Sequence, residues 1–208
     1  MNSIIRILLV DDHYVVRIGL GAVLGKTPEF QIISEAADGE AAMIAYREHL
    51  PDLVLMDMRM PVCDGVKATK LILSEFPEAR ILMLTTYDGE EDIHRAMNAG
   101  ACGYLMKTTP PEILAEGIRS VVAGNIYLPP AVRARLDERN PASALTAREI
   151  EVLTFVSKGL TNRDIANVLG LSENTAKWHL KNILRKMDVF DRTEATSAAL
   201  QRGIIHLD

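Results

Sequence analysis

The chain has 208 residues, 48% of them hydrophobic and 25% charged, with a net charge of -5, an ordinary composition for a globular protein with room for one large domain or two modest ones. Cys63 and Cys102, the only two cysteines, show no ligand-like spacing with each other or with histidine, which argues against a zinc motif or a disulfide framework and fits free thiols in a reducing compartment. The apolar stretch near the start, 4–10, is broken by Arg6 and followed at once by Asp11; no signal peptide, membrane span or membrane partner is expected, and the expected location is cytoplasmic.

Charge divides unevenly. Residues 1–130 carry 11 Lys and Arg against 18 Asp and Glu, a balance of -7, and residues 131–208 carry 12 against 10, or +2, which together give the whole-chain -5. An acidic front and a mildly basic rear point to two domains with different partners. In the front part, short runs rich in Ile, Leu and Val at 4–10, 31–36, 53–57, 80–85 and 103–105 read as strands. Amphipathic stretches at 14–24, 39–48, 65–76, 90–99 and 110–124 read as helices, the last opened by Thr109 with Pro110 in its first turn. This alternation predicts an α/β fold, a doubly wound five-stranded parallel sheet whose right-handed crossovers bring every strand's carboxyl end to one edge.

Further along, the pattern changes. Across 125–144, Pro129, Pro130 and Pro141 surround the charged "AVRARLDER", which reads as a partly helical linker. Only helices follow. "TARE" (Thr146 to Glu149) is a capping box opening a helix that Gly159 ends, and 162–169 is a short helix stopped by a turn at Gly170. Ser172 caps a helix reaching about Met187, and Asp191 and Glu194 frame a last one reaching about Arg202. The expected organisation is therefore a sheet domain at 1–124, a linker at 125–144, and a smaller all-α domain at 145–208.

"LVLMDMRMP" (Leu53 to Pro61) raises the question of chemistry, because an apolar run fit for a buried strand ends on Asp57. The usual order of such a sheet sets the first and third strands side by side, with the crevice at their carboxyl ends. Asp11 and Asp12 end the first strand, so three carboxylates converge with Asp57. Like charges about 4 Å apart repel by about 4 kcal/mol at an effective dielectric of about 20. An oxygen-rich cluster of this kind suits Mg²⁺. Thr85 ends the fourth strand and Lys107 stands just beyond the fifth, on the same edge. Taken singly, an Asp–Asp pair is usually a turn or cap, Lys107 a solvated surface residue, and Thr85 an ordinary strand end. Together, at successive strand ends, they read as a site.

"LLVDDH", "LVLMDMRMPVCDG", "ILMLTTYD" and "AGACGYLMK" resemble the receiver domain of bacterial two-component response regulators, across residues 4 to about 124. The resemblance implies a flavodoxin-like fold in which Asp57 is the phosphoacceptor, taking a phosphoryl group from a partner histidine kinase. It implies that Asp12, Asp57 and the backbone carbonyl of Arg59 ligate Mg²⁺, with Asp11 acting mainly through water. Thr85 and Lys107 would contact the phosphoryl oxygens, and Tyr104 matches an aromatic position whose rotamer follows the state of Asp57. Two departures stand out. Thr108 follows the lysine where many receivers have proline, so a cis bond there would cost more. Arg59 and Tyr87, two residues beyond Asp57 and Thr85, are not obvious activators of water, so self-dephosphorylation is expected to be slow.

In the rear domain, "GLS" joins two helices in a nucleic-acid-binding arrangement. On a helical wheel of 173–187, Ala176, Leu180, Ile183, Leu184 and Met187 form the inward stripe, with Asn174, Trp178, Lys181 and Arg185 opposite and Lys177 on the flank. A basic face alone is more often simply solvated; Trp178 tips the balance, because an indole opposite the core needs a partner, whether DNA, the other domain or a second subunit. "LTAREIEVL", "GLTNRDIANVLGLSENTAKWHLKNILRKM" and "DRTEA" resemble the LuxR-type helix-turn-helix over 145–205. The whole chain is similar to NarL/FixJ-type regulators. The resemblance implies double-stranded DNA as a partner, base-reading positions at Lys177, Trp178 and Lys181, and a homodimer, when phosphorylated or on DNA, formed through the last helix, where Ala195, Ala198 and Ala199 permit close approach. The expected function is a phosphorylation-controlled, DNA-binding transcription factor rather than a turnover enzyme. A Mg²⁺-dependent phosphatase or phosphotransferase is the rival; haloacid-dehalogenase-like hydrolases place a second acid where Arg59 stands. A regulator that switches without phosphate is a third reading, disfavoured by the intact acidic site.

Overall fold

The computed structural model describes residues 4–86, 89–137 and 145–206; Tyr87 and the 138–144 part of the expected linker lie outside the described residues. The front of the chain folds as β1 (Ile5–Val10), α1 (Tyr14–Leu24), β2 (Phe30–Ala36), α2 (Gly39–His49), β3 (Leu53–Asp57), α3 (Gly65–Glu75), β4 (Ile81–Thr85), α4 (Glu90–Asn98), β5 (Gly103–Met106) and α5 (Pro111–Val122). The five strands are all parallel in the order β2-β1-β3-β4-β5, the doubly wound architecture expected. Every residue of β3 and β4 is buried, as helices on both faces require. Alternation along the strands sends Ile7, Leu9, Leu53, Leu55, Leu82 and Leu84 to one face, against Leu114, Ile118 and Val121 of α5 and Leu24 of α1.

Two expectations about this part are corrected. Thr109 does not open α5; Pro110 is the N-cap, with φ -54° and ψ 146°, and Pro111 is the first helical residue. A residue before proline is sterically pushed out of the α region, so the Pro110–Pro111 pair moves the start by one residue. The domain also does not end at 124. The Tyr127 N–H donates to the Cys102 carbonyl at 2.9 Å, the Tyr104 N–H donates to the Tyr127 carbonyl at 3.2 Å, and the Tyr127 ring packs on the sheet core. The chain divides into two compact units, and the segment through residue 134 belongs with the sheet. Within it, α6 (Pro130–Asp137) begins, with Val132 buried.

The other unit is helical: α7 (Ala147–Ser157), α8 (Asn162–Leu169), α9 (Glu173–Met187) and α10 (Arg192–Gln201). Thr146 and Glu149 form the expected capping box on α7, and Thr161 and Asp164 form a second one on α8. Gly159 and Gly170 take φ of 81° and 64°, the left-handed conformation that follows a helix end. No helix among the described residues is long and apolar enough to cross a membrane.

Candidate functional site

β1 and β3 lie side by side with Val10 opposite Met56, so Asp11, one residue past β1, meets Asp57, the last residue of β3. Carboxylate oxygens of Asp11, Asp12 and Asp57, with a ring nitrogen of His13, all lie within 4.8 Å of one another. β4 and β5 bring the rest. Thr85 pairs with Met106 in register, and the Lys107 N–H donates to the Thr85 carbonyl at 2.7 Å, which holds Lys107 at the same edge. The Lys107 ammonium then reaches across, with Nζ 2.6 Å from Asp11 Oδ2 and 2.8 Å from Asp57 Oδ2.

Burial gives these contacts their force. Asp11, Asp57 and Thr85 are 1%, 4% and 1% exposed. Burial pushes the Asp57 carboxyl above its ordinary pKa; Lys107 works against the shift and Asp11 adds to it. Burial pulls the Lys107 ammonium down, yet its hydrogen bonds to Asp11 and Asp57 outweigh this and hold its pKa above the usual value. Three carboxylates face one ammonium, an excess of negative charge in a pocket of hard oxygen donors.

The supporting residues explain why Asp57 stays where it is. The Arg59 N–H points back at Asp57 Oδ1 from 3.4 Å. Asp64 caps α3, and the Gly65 N–H donates to the Met58 carbonyl at 3.0 Å, folding α3 back onto the end of β3. Between them the loop makes a γ-turn: the Cys63 N–H donates to the Pro61 carbonyl at 2.7 Å with Val62 at φ 66°, a strained conformation for a β-branched residue. Tyr104 is fully buried, its hydroxyl donating to Met58 Sδ at 3.8 Å. All peptide bonds among the described residues are trans, that between Lys107 and Thr108 included. His13 is the member that sequence reasoning passed over: its Nδ1 lies 2.7 Å from Asp12 Oδ1, and it is the N-cap residue of α1. Its place in "LLVDDH", directly ahead of a helix, was the available signal.

In the helical unit, α8 and α9 join through Gly170, and Ser172 caps α9. Ala176, Ile183 and Met187 are buried, with Leu180 and Leu184 partly so, which leaves Asn174, Lys177, Trp178, Lys181 and Arg185 exposed. Trp178 is 60% exposed, with the His179 ring 5.0 Å away in edge contact. Lys177 Nζ pairs with Glu173 Oε1 at 2.8 Å, one helical turn back. Lys186, on the other side of α9, donates to Glu149 Oε2 at 2.7 Å. This second role of Glu149, beyond the capping box, left no local signal.

The dimer residues need correction. Ala195 and Ala199 are fully buried in the core of their own unit, and Ala198 packs against the same core. The close approach these small side chains permit is that of α10 to α7 and α9, so the two buried alanines present no surface to a second copy.

Comparison with known proteins agrees with this geometry. Residues 7–119 match the family model for the response regulator receiver domain, and residues 143–199 match that for bacterial regulatory proteins of the luxR family. The response regulator protein VraR of Staphylococcus aureus is 36% identical over 206 residues, covering 97% of this chain and 99% of its own. Among solved structures, the response regulator ChrA of a heme-sensing two-component system is 40% identical, with a TM-score of 0.59 over 99% of this chain and 100% of that one. RcsB of Salmonella enterica serovar Typhimurium, bound to a promoter in the presence of the phosphomimetic BeF3-, has a TM-score of 0.71 over 93% of this chain and 97% of its own. At 22% identity that likeness speaks for the fold alone. A parallel sheet with an acidic edge, followed by a helix-turn-helix with an exposed basic face, and matches along nearly the whole length place this chain in the family of response regulators that join a receiver domain to a LuxR-type DNA-binding domain.

Proposed function

We propose that this regulator is switched by phosphorylation of Asp57 from a partner histidine kinase in the cytoplasm, and that the modified chain pairs with a second copy and grips DNA with α9. One observation carries the reading: Asp11, Asp12 and Asp57 converge at a single strand edge with the Lys107 ammonium in contact with two of them. Asp57 Oδ attacks the phosphorus of a phosphohistidine; the new O–P bond forms as the P–N bond breaks, and the imidazole leaves with the electron pair and takes a proton. A carboxylate is a weak nucleophile, so the reaction depends on alignment and charge neutralisation. Asp57 is held by its strand and by the Arg59 N–H, and Lys107 stands where the incoming oxygens would lie. Asp12, Asp57 and the Arg59 carbonyl would hold Mg²⁺, with Asp11 acting through water; the hard oxygen donors fit it. When bound, Mg²⁺ supplies neutralisation of the phosphoryl charge.

The transferred group adds roughly two negative charges beside Lys107 and Thr85. Thr85 and Tyr104, buried next to that edge, are the residues through which the change reaches the surface of the domain. Arg59 occupies the position where a hydrolase would carry a second acid, which favours a phosphoacceptor over a turnover enzyme. Treatment with acetyl phosphate and Mg²⁺ tests the reading: intact mass should show one hydroxylamine-labile phosphoryl group on the wild type and none on Asp57→Asn. Equal labelling of both would overturn it.

A further inference from the structure

α9 carries an acid at its very start, one turn ahead of the first cation of its basic face. Glu173 is the first residue of α9, and its carboxylate holds Lys177 at 2.8 Å with both side chains about half exposed. That pair, together with the charge of Arg163 on α8, draws the Glu173 carboxyl below its usual pKa, so it is ionised at neutral pH. Among the described residues, Lys181 and Arg185 have no ion-pair partner, and Lys186 is committed to Glu149. The cations of the exposed face are thus of two kinds, free and masked, and the mask sits at the end of the helix that enters a major groove first.

A carboxylate in that place repels every phosphate it approaches and can accept from an amino group on a base edge, for which the N4 amino group of cytosine is the usual partner. Resting on the assignment of the α9 face to DNA, we infer that Glu173 is a specificity determinant, which exchanges Lys177 for a cytosine amino group at the cognate site. The exchange frees Lys177 for a guanine edge or a phosphate. At a site without cytosine in reach, the carboxylate stays on Lys177 and adds repulsion, so non-cognate DNA is met by one cation fewer and one anion more. Glu173 also suits the positive end of the helix, but a purely helix-stabilising role would change melting, not sequence preference.

The test uses the full-length chain with acetyl phosphate and Mg²⁺ and a randomised double-stranded DNA library, comparing wild type, Glu173→Gln and Lys181→Ala. Glu173→Gln should bind a scrambled duplex roughly threefold more tightly, the effect of removing one like charge at about 6 Å in water. Its salt slope should steepen by about 0.9 as Lys177 becomes available. One position of the selected sequence should lose its preference for cytosine, about tenfold in the wild type. Unchanged sequence preference and salt slope in Glu173→Gln, while Lys181→Ala binds weakly, would overturn this inference and leave the α9 assignment standing. Wild-type binding left intact by Lys181→Ala and Glu173→Gln alike, or no binding by the wild type, would overturn both.

Discussion

Gly65 stands so close to Asp57 that a Cβ on it would run into the Asp57 carbonyl oxygen. The obstacle is backbone, which has nowhere to go without moving the end of β3 that carries Asp57. Gly65→Ala should therefore cost about 3 kcal/mol and slow acetyl-phosphate labelling of Asp57 more than it lowers the melting temperature alone would explain. Labelling at the wild-type rate in a folded variant would show that the close approach is incidental.

The acidic edge should make stability depend on metal. A cation bound only by the folded state stabilises it by mass action, so Mg²⁺ at about ten times its dissociation constant adds about 1.4 kcal/mol. Asp12 is the most exposed of the three acids, its side chain 27% accessible, so Asp12→Asn should fold normally and lose most of that gain. Thermal melts with and without Mg²⁺ measure it; the same rise in both proteins would remove Asp12 from the ligand set.

Glu149 makes the helical unit sensitive to acid. Burial raises the Glu149 carboxyl, but Lys186 and the Thr146 cap outweigh it and hold the group below its ordinary value of 4.5. A depressed carboxyl contributes stability that is complete above the unfolded value and is lost as pH falls through the folded one. Near neutrality Glu149→Gln should cost about 2 kcal/mol, the worth of a charge-assisted hydrogen bond. The gap to wild type should shrink as pH falls below the ordinary value of 4.5 and close once it has passed through the depressed one. Trp178, the one tryptophan of the chain, lies in this unit and reports its unfolding by fluorescence. A gap unchanged from neutral to acid pH would contradict the assignment.

Trp178 should govern which DNA is chosen rather than how strongly DNA is held. Its indole stands opposite the buried stripe of α9, 60% exposed, where on DNA it would meet a thymine methyl or a base edge. Trp178→Ala should lower affinity for the best selected sequence by about tenfold and leave affinity for a scrambled duplex nearly unchanged. Equal losses on both sequences would make it a non-specific contact.

Much of this protein was legible in its sequence because the relevant physics is local. Runs of Ile, Leu and Val and helical spacing named all five strands and nearly every helix, and Thr146, Ser172 and Asp191 cap helices within a few residues of themselves. Strand ends at Asp11, Asp57, Thr85 and beyond them Lys107 followed from the same patterns, since parallel strands share one carboxyl edge. What the tertiary structure decided is which distant groups meet. That Lys107 bridges Asp11 and Asp57, and that Glu149 reaches Lys186 across 37 positions, depends on side chains converging from separate elements. Ala195 and Ala199 show the boundary most clearly. Small residues on a helix state that something comes close, and only packing settles that their partners are α7 and α9 of the same chain.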